Sequence, residues 1–185
     1  MNNASDDDLV SRAQNGDAEA VSLLYLNNYQ SIYRFLYYRV GDTKTAEDLT
    51  SEVFIKMIQS LPKYRRQNVP FTAWLFQISR NLAIDLHRRQ DARLVDSELH
   101  ENILESGPTL DEILEGKLTS KTLLTALKHL TDDQRDVLIL RFIDGLSLGE
   151  VARVLHKSED AIKGLQHRAL ACLKDLLSGP EVENV

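Results

Sequence analysis

The sequence is poor in residues that would tie a fold together or bind a metal. Cys172 is the lone cysteine, so no disulfide forms within the chain, and its place on the apolar side of an expected helix points to a buried thiol, not a reactive one. The five histidines, His87, His100, His129, His156 and His167, are scattered with no ligand motif around them, so no metal and no cofactor is expected. No apolar run reaches the length that crosses a membrane. The start, MNNASDDDL, lacks the basic region and apolar stretch of a signal peptide, so the expected compartment is the cytoplasm, with no direct membrane insertion. No Asn-Gly turn sits between alternating runs to suggest a sheet.

What the sequence does contain is helix. Acids follow Ser5, and Asp17 opens an apolar pattern through Val21, Leu24, Tyr25, Tyr29, Ile32, Phe35 and Leu36 that ends near Gly41. A third helix is expected from about Asp42 to Leu61, burying Leu49, Val53, Phe54, Met57 and Ile58 and stopping before Pro62. After the proline-bracketed loop PKYRRQNVP, Phe71, Trp74, Leu75, Ile78, Leu82 and Leu86 recur at helical spacing, with Arg80, Asn81, His87 and Arg88 elsewhere on the same helix. A second helical unit begins near Leu118. The fold expected is all-α, with two small helical domains at 1–92 and 118–178, an acidic linker at 93–117 and a short tail at 179–185. The 43% hydrophobic and 27% charged content suits that class.

Charge is unevenly placed. The chain carries a net −6, yet residues 63–93 hold seven Lys and Arg against two Asp, while residues 94–116 hold seven acids and no cation. A basic block beside an acidic one can attract a phosphate backbone at one surface and oppose indiscriminate binding at another.

One motif invites an enzymatic reading. Gly145 to Gly149 spell G-x-S-x-G, and Asp160 and His167 follow Ser147 in hydrolase order. A nucleophile elbow needs a strand before the serine, whereas TDDQRDVLILRF, with Thr131 as a candidate cap and Val137, Leu138, Leu140 and Phe142 as its apolar residues, suits a helix better. Ser147 and Glu150 form a capping box, and Gly145 fits the left-handed residue that ends the preceding helix. The expectation is a helix-turn-helix, with helices at Leu148–Leu155 and after the cap Ser158, and no catalytic residue.

Three segments, in order, resemble an RNA polymerase sigma factor of the extracytoplasmic-function group, over nearly the whole chain. AEDLTSEVFIKMIQSLPKYR is similar to the core-binding helix of sigma region two. FTAWLFQISRNLAIDLHRR is similar to the helix that faces the minus-ten promoter element. LTDDQRDVLILRFIDGLSLGEVARVLHKSEDAIKGLQHRALACLKDLL resembles region four, whose helix-turn-helix enters the minus-thirty-five element.

The resemblance implies roles. Asp48, Glu52, Phe54 and Lys56 would bind core polymerase at the clamp helices of its largest subunit, and region four would meet the flap of the second-largest. Lys63, Tyr64, Arg65, Arg66, Gln67 and Asn68 would hold an unpaired minus-ten base, while Arg80, Asn81, Arg88 and Arg89 hold the backbone. Arg153, Ser158, Lys163, Gly164, His167 and Arg168 would meet the minus-thirty-five element. Leu165 and Leu170 stand where the family often has arginine, Gln166 replaces an apolar residue, and Ser51 stands where glutamine is frequent. Promoter DNA, core polymerase and an anti-sigma factor are the implied partners. The alternative from the residues alone is a self-sufficient helix-turn-helix repressor, which leaves the acidic helix and the basic loop without a role.

Overall fold

The computed structural model describes residues 6–65, 69–94 and 120–178. The first bundle has four helices: α1 (Asp6–Gln14), α2 (Ala18–Val40), α3 (Thr43–Ser60) and α4 (Phe71–Leu94), with a 3-10 turn at Leu61–Lys63. Local chemistry sets its corners. Asp17 accepts from the amides of Glu19 and Ala20 at 2.9 and 3.2 Å and pairs with Arg12 at 2.7 Å, fastening α1 to α2. The hydrogen bond from Arg12 is the main cause that lowers the Asp17 carboxyl below its ordinary value. Gly41, at φ 77°, ends α2 in the left-handed region, and Asp42 caps α3 by accepting from the Thr45 amide at 2.8 Å. Leu24, Ile32, Phe35 and Leu36 of α2 meet Val53 and Met57 of α3 and Phe71, Leu75 and Phe76 of α4 in the core, where Phe35 packs edge-on to Phe76.

The second bundle is α5 (Ser120–Lys128), α6 (Asp132–Leu138), a π-helical turn at Ile139–Ile143, α7 (Leu148–Leu155) and α8 (Glu159–Ser178). Leu127, Val137, Ile139, Leu140, Val151, Val154, Ile162 and Ala169 form its buried centre. Ser147 and Glu150 close the capping box at 2.7 and 3.3 Å, and Ser158 caps α8 by accepting from the Ala161 amide at 3.2 Å. Gly145 takes φ 73°. A π-helical turn and a bend precede Ser147, so the strand that a nucleophile elbow requires is missing there, and its hydroxyl donates to Glu150.

Helices account for the secondary structure of the described residues, in two units, as the sequence pattern indicates. Two placements differ. Phe142, grouped with the apolar residues of its helix, is 58% exposed because the π turn adds a residue per turn and rotates it outward. Ile58 is 53% exposed, since its position on α3 lies past the edge of the stripe carrying Val53, Phe54 and Met57. Cys172 is half-buried. α4 runs to Leu94, two residues past the expected end of the first domain at 92; Ser5, residues 95–117 of the expected linker, residues 118–119 of the expected second domain and the tail lie outside the described residues.

The two bundles pack against each other. α4 lies on α7, and α2 touches both α5 and the π turn.

Candidate nucleic-acid interface

On α3, Asp48 and Glu52 are exposed one turn apart, and Glu52 pairs loosely with Lys56 at 3.7 Å. Phe54 faces inward, 4% exposed, with its ring 4.7 Å from that of Tyr25. It therefore shapes the helix from behind. Sequence reasoning overlooked Ile55, which is 54% exposed beside Glu52 and, with Ile58, makes an apolar strip along an acidic helix. The readable signal was an isoleucine out of phase with the core stripe. An apolar strip edged by carboxylates suits a protein partner that offers apolar contact within a basic surround.

The basic loop leaves from the 3-10 turn. Gln14 of α1 donates to the carbonyls of Leu61 and Tyr64 at 2.8 and 2.9 Å and so fixes where the loop departs. Tyr64 is buried, packs on Phe71 and Trp74 with centroids at 5.8 and 4.6 Å, and donates its hydroxyl to the Val69 carbonyl at 2.9 Å. Tyr64 thus ties the two feet of the loop together, and Lys63 and Arg65 stand exposed on one foot. Arg66, Gln67 and Asn68 lie outside the described residues. Lys63, Tyr64, Arg65, Val69, Trp74 and Gln77 line a shallow pocket of about 310 Å³. Cations at its mouth and an indole at its wall suit a splayed-out base and its phosphate. Trp74 is half-buried and also packs on Phe71, so it serves the core and the pocket together.

Farther along α4, Asn81, Arg88 and Arg89 are exposed, with Arg88 held to Asp85 at 3.1 Å. Arg80 is placed differently. Its Nε donates to Asp136 at 2.7 Å and its Nη2 to Asp133 at 2.7 Å, both on α6 of the second bundle. Asp136 is fully buried, and its other oxygen lies 2.9 Å from Nε of Arg39, whose Nη1 donates to Asp132 at 2.9 Å. Burial pushes the Asp136 carboxyl up, and the two guanidiniums pull it back. Arg34 of α2 donates to Asp144 at 2.8 Å in a second cluster, where burial raises the Asp144 carboxyl to about 6 against the pull of Arg34.

The helix-turn-helix presents its face openly. Arg153, Ser158, Lys163, His167 and Arg168 are exposed along the end of α7 and the first half of α8. Lys163 reaches Asp160 at 3.1 Å, and the Arg168 guanidinium lies over Gly164, where a Cβ would approach its Nη1 to 3.3 Å. Leu165 is half-buried, so this face keeps one fewer cation, and Leu170 is 43% exposed as an apolar contact. The turn between the helices is set by His156 in the left-handed region at φ 52°. Two exposed cations and an imidazole on one helical face, braced by a short helix, can meet a major groove and its phosphates. Among the described residues no group of His, Cys, Asp and Glu is placed to hold a metal, and no helix is long and apolar enough to cross a membrane.

Residues 24–93 match the family Sigma-70 region 2, and residues 126–175 match Sigma-70, region 4. Over 173 residues the chain is 42% identical to the ECF RNA polymerase sigma factor BldN of Streptomyces coelicolor, covering 92% of this chain and 65% of BldN. It is 34% identical to the ECF RNA polymerase sigma factor SigX of Bacillus subtilis, covering 84% of this chain and 82% of SigX. Among solved structures, CnrH in complex with the cytosolic domain of CnrY superposes with a TM-score of 0.70 at 26% identity, covering 94% of this chain and 97% of CnrH.

Proposed function

The chain belongs to the extracytoplasmic-function RNA polymerase sigma factors, and from that premise we propose that it binds core RNA polymerase through α3, places α7 and α8 on an upstream promoter element, and holds a melted downstream base at the loop between α3 and α4. It works in the cytoplasm and performs no catalysis of its own. The observation that carries this reading is the exposure of three unlike surfaces, one on each of these elements: an acidic-apolar strip for protein, a cation-edged aromatic pocket for a base, and a recognition helix.

Each surface has a physical role. Asp48 and Glu52 meet basic side chains of the polymerase clamp, while Ile55 and Ile58 supply the area that charge alone does not. Lys63, Arg65, Arg66, Gln67 and Asn68 receive the base and its phosphate, with Tyr64 bracing the loop's feet, and Arg80, Asn81, Arg88 and Arg89 follow the backbone. Arg153, Ser158, Lys163, Gly164, His167 and Arg168 read and grip the upstream element, and region four meets the polymerase flap. The acidic segment that follows α4 lets the two modules act by effective concentration, so that each tolerates modest affinity. An anti-sigma factor is the expected antagonist, by likeness to CnrH, whose structure holds the cytosolic domain of CnrY.

A retention assay separates this reading from a stand-alone repressor. Labelled fragments of the source genome are incubated with this protein, with sigma-free core polymerase, or with both. The proposal expects heparin-resistant retention of particular fragments only when both are present. Specific retention by the protein alone, unchanged by core, would favour the repressor.

A further inference from the structure

A cavity of about 480 Å³ opens at the seam between the two bundles, with walls from α2, α3, α4, α5 and α6. Small-molecule sites span about 300–1,000 Å³. One side of this cavity is cationic. Arg135 of α6 sends every hydrogen bond it makes to a carbonyl: Nε to Leu127 at 2.8 Å, Nη1 to Arg39 at 3.4 Å, and Nη2 to Lys128 and Leu130 at 3.3 and 3.2 Å. Nη1 still carries a second N–H. Burial pushes this guanidinium below its ordinary value, and the charge of Arg39 adds to that. Lys128 stands exposed beside it, with Cε 3.6 Å from where a Cβ on Gly41 would lie. Among the described residues neither Arg135 nor Lys128 pairs with a carboxylate. Arg39 also lines the cavity, is 6% exposed, and keeps Nη2 buried with no hydrogen-bond partner among the described residues.

The carboxylates nearby are engaged elsewhere. Asp42 caps α3 at the amide and hydroxyl of Thr45, Asp132 holds Arg39, and Asp136 lies between Arg39 and Arg80. The other side of the cavity is apolar. Val40, Leu86 and Leu124 are half-buried there with the ring of Tyr38, which stands edge-on to Tyr37 at 5.3 Å.

We propose that this cavity is a binding site for a small phosphate monoester with a flat aromatic body, the class to which nucleoside 5′-monophosphates belong. The phosphate lies between Arg135 and Lys128, with His87 exposed at the rim, and the aromatic body rests on Tyr38 and the aliphatic wall. A dianion between two cations makes charge-assisted hydrogen bonds on both sides, and partial burial limits screening by salt. Inorganic phosphate alone leaves the apolar wall uncovered, and a nucleoside alone leaves the cations unanswered. Each half therefore binds more weakly than the whole. None of the lining residues is assigned above to DNA or to polymerase, so the inference does not rest on the initiation-factor reading.

The test is isothermal titration calorimetry of the full chain with adenosine 5′-monophosphate at fixed ionic strength, with adenosine and inorganic phosphate as its two halves. The expected result is one saturable site for the nucleotide, at least about tenfold tighter than for either half. Lys128→Gln, at an exposed position, weakens the nucleotide by about tenfold or more because it removes one charge-assisted contact, while the melting midpoint stays within about 2 °C. On binding, the backbone amide resonances of Gly41, Thr45 and Leu124 shift in the NMR spectrum. Absence of saturable nucleotide binding overturns the proposal. So do shifts confined to Lys63, Arg65 and Trp74, which would put the nucleotide at the basic loop. Inorganic phosphate binding as tightly as the nucleotide overturns the two-part ligand, since charge alone would then account for the attraction.

Discussion

Asp136→Asn tests the buried charge at the seam with the smallest possible change of shape. In the native chain Asp136 has no exposure and Arg39 is 6% exposed, so neither ion is rescued by water while the bundles stay together. Asparagine keeps the volume but removes the charge that both guanidiniums face. Breaking a buried pair by deleting one partner costs about 3–5 kcal/mol, and in a protein of this size each kcal/mol lowers the midpoint by about 2–4 °C. A chain that stays shut therefore melts about 6–20 °C lower. A chain that opens escapes part of that loss, because Arg39 and Arg80 regain water, and then shows the difference as a larger radius of gyration at 25 °C. Calorimetry and small-angle scattering on the same samples read both. Adding Arg39→Met removes one of the two stranded cations and restores part of the midpoint. A fall of under 2 °C with an unchanged radius would refute the reasoning, because the charge would then carry no energetic weight.

Three further outcomes are expected. His156→Gly relieves a left-handed residue that carries a Cβ and raises the stability of the second bundle by about 1 kcal/mol in denaturant melts. The Asp144 carboxyl sits near 6 in the folded chain, above its ordinary value, so the folded state holds the extra proton; its contribution is present below about pH 4 and is lost as pH rises through 6. Asp144→Asn therefore gains stability relative to the parent between pH 5 and pH 7, and an equal difference at both pH values would contradict the burial. Asp48→Lys/Glu52→Lys, at exposed positions, weakens core-polymerase binding at least tenfold in a titration while leaving the melting midpoint within about 2 °C.

Much of the fold was legible because caps and stripes are local. Asp17, Asp42, Ser147 and Ser158 each bond to an amide two or three residues on, so a short window of sequence holds the whole interaction. The apolar rows of α2, α3 and α4 repeat at helical spacing for the same reason. The π turn was not legible: one added residue shifts the phase, and Phe142 turns outward with no marker in its own identity. The resemblance pointed to Lys163, His167 and Arg168 and to Lys63 and Arg65, and these side chains stand exposed, while a pocket lined by Tyr64 and Trp74 lies beside the loop. The seam was hidden. Arg39 and Arg80 find their carboxylates 53 to 97 residues away along the chain, and a surface arginine reads the same whether it awaits a phosphate or an aspartate. Gln14, holding the loop from α1, was invisible for the same reason.

Transcription from fragmented genomic DNA of the source organism, by sigma-free core polymerase with and without this protein, tests the central claim most directly when the RNA start sites are mapped. The account predicts discrete starts that require the protein and share two upstream elements at constant spacing. Active core and folded protein yielding no protein-dependent starts would contradict it.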